Sequence, residues 1–408
     1  MTKRQPGSLQ CKLALPAVFA LLLAASLPTQ AASSFDLGSK KGDGNSAEYS
    51  WYPREKVLTI WDGADITITG SVSNGTRIEV APSANATITL DNVSITGMPG
   101  SSLRALRRYS RRLEMEGSPQ INTGLQANES PLALNAGANV RLEIRGTNIL
   151  AAGDCPTYTG ADNNCAGISA PGGYNGPYAA AVIGTTLSID GTGALTATGG
   201  DLGAGIGGSG YRSSTNGGGA ITINGGTITA IGGDLGAGIG GGGAPAGIEG
   251  SGGAITINGG TVTARGGLGS AGIGGGNVGP GGTIIIKSGT VTAHGGYEGA
   301  GIGGGSMKSG GHIAITGDAN VTATGGNGRT GGPSLNGGAG IGNGGGINFN
   351  SDAYRAAGIT KEVADTTKIE INTTGTVNAK GGSGANGGNA GANISQGRLA
   401  GTRESARP

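Results

Sequence analysis

The chain of 408 residues holds 91 glycines, about three times the usual share, with only 3% aromatic and 13% charged residues. Glycine does not recur at every third position, which excludes collagen, and Ile, Val, Leu and Thr return too regularly for simple disorder. The formal charge of +2 falls to about −1 once Lys3, Arg4 and Lys12 are set aside, so no general affinity for nucleic acid or other polyanions follows.

Residues 1–31 read as a secretory signal peptide: those three cations, an apolar stretch from Leu13 to Leu27, then small residues around Ala31. The stretch is too short and too interrupted by Pro16 to anchor the chain, and no later run approaches the roughly 20 apolar residues a membrane span needs. The expected location is therefore periplasmic, secreted or at the cell surface. Residues 32–56 are expected to be a linker or cap, and 57–395 a repeat domain.

Two interruptions are expected within that domain, at 97–131 and 351–367. In the first, Leu103, Leu106 and Leu113 share one helical side, and Arg104, Arg107, Arg108, Arg111 and Arg112 occupy the rest. This pattern predicts a short basic helix, most simply a solvated insertion whose leucines pack on the coils. Cys11 leaves with the signal peptide, so Cys155 and Cys165 remain as a pair, and in an exported protein their short separation predicts one disulfide.

From residue 186 the chain repeats itself. Units such as Ala220-Ile-Thr-Ile-Asn-Gly-Gly-Thr-Ile-Thr-Ala230 and Ala254-Ile-Thr-Ile-Asn-Gly-Gly-Thr-Val-Thr-Ala264 begin at 186, 220, 254, 283 and 312, with a weaker copy at 368. Most are followed by Ala-Gly-Ile-Gly, at Ala204, Ala237, Ala271, Ala300 and Ala339. Within a unit the hydrophobic period is two, which predicts strands with one aliphatic and one small polar face. An isolated copy reads equally well as a hairpin. The identity of position between copies favours stacked coils instead: Ile221, Ile255, Ile284 and Ile313 share one register. The expected fold is all-β, a right-handed parallel β-helix with three short strands per coil. A glycine-rich sandwich or propeller is the alternative. Residues 396–408 are expected to be a disordered tail.

Signal peptide, repeated unit and recurrent Ala-Gly-Ile-Gly together resemble glycine-rich repeat proteins of bacterial cell surfaces, of the carbohydrate-binding-domain or pectate-lyase-like β-helix type. The likeness is strong over 220–305 and loose before 131. It implies an exported β-helix that contacts polysaccharide, and it supplies no catalytic set, because the repeated residues are glycines and core aliphatics.

Stacking converts register into proximity, since neighbouring coils lie about 4.8 Å apart. The position after the second strand runs Thr198, Ile231, Arg265, His294 and Thr324; three places on it runs Asp201, Asp234, Leu268, Tyr297 and Asn327. Asp201, Asp234, Arg265, His294, Tyr297 and Glu298 are thus expected to share one polar strip, with Tyr297 as a sugar-stacking platform and Arg265 as a fork for a carboxylate. The simpler reading, tolerated substitutions at exposed turns, stands beside it. A polysaccharide lyase would use Arg265 to neutralise the substrate acid and His294 or Tyr297 as base; hydrolysis belongs to the same alternative. Asp201 and Asp234 are a thin pair for Ca2+. The repeated Thr227/Thr229, Thr261/Thr263 and Thr290/Thr292 pairs also resemble the ice-binding faces of some β-solenoids, although threonine suits any solvated strand. No P-loop, GxSxG or HExxH element occurs.

Overall fold

A computed structural model describes residues 33–73, 75–97, 130–153, 165–172, 183–210, 217–243, 250–329, 336–346, 367–385 and 389–394. The expected signal peptide, the basic insertion with its five arginines, the second insertion over 351–366, the tail and Cys155 lie outside these residues.

The described chain is all β, with no helix among the described residues, and it forms an 18-stranded and a 10-stranded sheet. The copies that begin at 186, 220, 254, 283 and 312 each supply the three expected strands, and the weaker copy at 368 supplies two among the described residues; in one coil the three are Ala254–Ile257, Thr261–Arg265 and Ile273–Gly274. Each pairs in parallel with its counterpart in the next coil, as Ala254–Ile257 does with Thr283–Ile286 and Thr261–Arg265 does with Thr290–His294. The pairing removes the hairpin reading. The architecture is consistent with a right-handed parallel β-helix.

Alternation explains why this sequence stacks. On the first face Val140, Leu187, Ile221, Ile255, Ile284, Ile313 and Ile369 form one inward column in exact register. A parallel column runs from Ile223 through Ile257 and Ile286 to Ile315. The second face contributes Leu195, Ile228, Val262, Val291 and Val321, and the third Ile206, Ile239, Ile273, Ile302 and Ile341. All are buried. Each such side chain contributes roughly 1.5–3 kcal/mol of burial, and none can bury its face without the coils above and below.

The corners are as specific as the columns. Between the first and second strands the Asn258 amide donates to the Asn224 side-chain carbonyl at 2.8 Å, and Asn224 donates to Asp190 at 3.0 Å. Arg141 reaches the same Asp190 at 3.3 Å, so this edge is tied from coil to coil by polar side chains. At the end of the third strand, Gly274 adopts φ +130°. A Cβ there would stand 2.0 Å from the Gly303 carbonyl oxygen on the next coil, which leaves glycine as the residue that fits.

At the amino end, the segment expected as linker or cap supplies both a rung and a cover. Ser33–Asp36 pairs in parallel with Asp65–Val72 and antiparallel with Lys41–Asp43, while Tyr49–Tyr52 pairs antiparallel with Val57–Ile60. Phe35 lies 5.7 Å from the rings of Tyr49 and Trp51, and the Lys40 ammonium sits 5.6 Å from the Trp51 ring. Tyr49, Trp51 and Trp61 pack against the aliphatic core here.

Candidate functional site

The second face carries the expected residues at one edge. Its strands end in the register Thr198, Ile231, Arg265, His294, Thr324 and Lys380, every step a direct parallel pair. Alternation puts this column outward: Ala264 and Ala293 face the core, so the following Arg265 and His294 cannot. Arg265 is exposed and His294 half-buried. Burial is the larger cause holding the His294 pKa below its ordinary value, and the neighbouring Arg265 charge lowers it further. His294 is therefore neutral near pH 7.

Tyr297 follows on the same corner and is 54% exposed, one of four large hydrophobic side chains exposed among the described residues. Asp234 is exposed and Asp201 half-buried. The Leu235 amide donates to the Asp201 carbonyl at 2.8 Å, which places these two acids on adjacent coils as expected. No group of three or more His, Cys, Asp or Glu side chains gathers among the described residues, so the Ca2+ expectation rests on those two carboxylates alone.

Glu298 departs from the expectation. It is 4% exposed, and its carboxylate accepts the Ser306 hydroxyl at 2.7 Å. The reason is register: Glu298 stands two residues ahead of Ala-Gly-Ile-Gly, where Leu202 and Leu235 stand in earlier coils, and Leu202 is buried too. Its backbone adopts φ +64°, and its side chain is buried while the preceding Tyr297 is exposed. Glu298 belongs to the fold and leaves the surface strip.

The strip is also polarised along the axis. Asp201 and Asp234 occupy earlier coils, whereas Arg265, His294 and Lys380 occupy later ones. Lys380 escaped the sequence reading because the insertion before residue 368 hid its spacing. The signal was present, since Lys380 follows Ala379 as Arg265 follows Ala264.

Across the rest of the face the outward threonines align. Thr196, Thr229, Thr263, Thr292 and Thr322 form one column, and Thr227, Thr261 and Thr290 another, which ends at Asn320. Cys165 is fully buried beside Leu202; its expected partner Cys155 lies outside the described residues, and the bridge is carried forward as a prediction.

No helix among the described residues is long and apolar enough to cross a membrane. No curated protein and no solved structure matches the chain. A family model described as beta helix repeat matches residues 187–211, 221–243, 255–277 and 284–306, four successive coils that include Arg265, His294 and Tyr297.

Proposed function

We propose that this is an exported, non-catalytic β-helix that binds polysaccharide, with an adhesive role, through the edge of its second face. The observation that carries the reading is the exposed Tyr297 ring on the corner that follows His294, whose strand position pairs directly with Arg265 on the parallel sheet. A half-open aromatic ring offers an apolar platform to a sugar face, and a guanidinium offers paired donors to hydroxyls or carboxylates. Neither residue is needed by the aliphatic columns. The coils fix the backbone positions of both residues, so that only their side chains need ordering on binding.

A glycan array with the purified protein tests this directly. Binding should appear, and Tyr297→Ala should weaken it by about 0.5–1.5 kcal/mol without moving the melting transition. Absence of binding to every glycan, or binding indifferent to Tyr297, refutes the assignment of this edge.

A polysaccharide lyase is the second reading, supported by a His294 that stays neutral and can accept a proton beside a cation. It requires ultraviolet-absorbing unsaturated products from acidic polysaccharides, lost in His294→Ala. Such turnover would displace the non-catalytic reading.

A further inference from the structure

Charge along the second-face edge changes sign at one coil. On the coils that end at Ile231 and before, the exposed formal charge at this corner is Asp234. From the next coil onward the ladder presents the cations Arg265 and Lys380 with the neutral His294 and Thr324 between them, and the exposed Arg329 follows five residues past Thr324. The described acids on those later coils stand elsewhere. Glu298 is buried against Ser306, Asp318 precedes the opposite end of its second-face strand, and Glu370 lies on the first face, where Lys368 holds it at 2.6 Å. A chain with almost no net charge thus carries Arg265 and Lys380 on one ladder, with no acid in that ladder among the described residues.

The row is straight because parallel pairing allows no slip. Arg265, His294, Thr324 and Lys380 are successive partners in one ladder. Three steps of 4.7–4.9 Å put about 14 Å between the first and last of these backbone positions. Outward Thr263, Thr292 and Thr322 flank them as a flat bed of hydroxyls and methyls.

We infer that this edge selects a linear carboxylated polysaccharide, laid along the solenoid axis with its acid groups on the cationic column from Arg265 to Lys380. The inference rests on the polysaccharide-binding reading and adds to it the charge of the ligand, its direction and its length. Sugar rings stack from Tyr297 across the threonine bed while carboxylates meet Arg265 and Lys380. Asp234 repels the chain at the amino-terminal side and sets where the footprint begins. A chain lying across the coils would meet one cation; only an axial chain meets several.

Calorimetric titration of the purified protein with oligogalacturonates, from dimer to octamer, tests this against the same oligomers with their carboxyls reduced. Affinity for the acidic series should rise with length until the oligomer spans the column and then level off, and added salt should erode it. Reduction of the carboxyls should remove the length-dependent gain. Lys380→Ala should weaken long acidic oligomers about two- to fivefold and leave the dimer unchanged, whereas Asp234→Asn should strengthen the octamer. Both positions are exposed, and an unchanged circular dichroism melt verifies that the variants fold. Equal affinity for acidic and reduced oligomers, or a Lys380→Ala effect that is the same at every length, overturns the axial column. Glycan binding that still depends on Tyr297 would then leave the broader reading in place; loss of all glycan binding would remove both.

Discussion

Replacing Ile255 with alanine probes whether the columns hold the fold. Ile255 is 1% exposed and stacks directly between Ile221 and Ile284 on the neighbouring coils. The substitution deletes three carbons at about 0.8 kcal/mol each, and the rigid coils above and below prevent the gap from closing, so a loss of about 2–5 kcal/mol is expected. Thr256, the next residue, is its internal control. It points outward from the same strand, pairs with Thr222 and Ile285, and should tolerate alanine within about 0.5 kcal/mol. Urea unfolding followed by circular dichroism reads both changes. Native-state amide exchange adds a local view, because a long stack of coils need not unfold as one unit. Protection should fall first in the coils on either side of residue 255. Equal costs at the two positions would refute the inward column, as would an Ile255→Asp variant with an unchanged melt, since an unpaired charge buried there costs several kcal/mol.

Gly274→Ala should destabilise more than a surface substitution does, because a Cβ would stand 2.0 Å from the Gly303 oxygen at φ +130°, whereas Gly346→Ala, with open space around the new methyl, should be tolerated; thermal melts compare the two. His294 should titrate below the ordinary histidine value in an NMR pH series, and Arg265→Ala should raise its pKa only in part, because burial is the larger cause. Since the folded-state pKa lies below the unfolded one, the associated stability is present above the unfolded value of about 6.5 and is lost as pH falls through the lower folded value. Full recovery of an ordinary pKa in Arg265→Ala would contradict that order of causes. Mass spectrometry of the unreduced protein should find Cys155 and Cys165 bonded, and alkylation of both thiols without reduction would eliminate the bridge.

The repeated unit determined much by itself. Alternation with period two made strands, and the identical placing of Ile221, Ile255 and Ile284 in successive copies demanded stacking rather than hairpins. The order Thr198, Ile231, Arg265, His294, Thr324 was legible for the same reason: in a parallel ladder, equal position in the repeat means adjacency in space. Tertiary structure decided what position alone could not. Glu298 and Tyr297 are consecutive polar residues at one corner, yet the first is buried where Leu202 is buried in an earlier coil and the second is exposed. Lys380 joined the column only once pairing with Thr324 carried the register past an insertion that interrupts the spacing. The amino-terminal cap likewise has no repeat to announce it. Its antiparallel strands and aromatic cluster answer a need that exists only in three dimensions, where a stack of coils ends and its aliphatic columns must be covered.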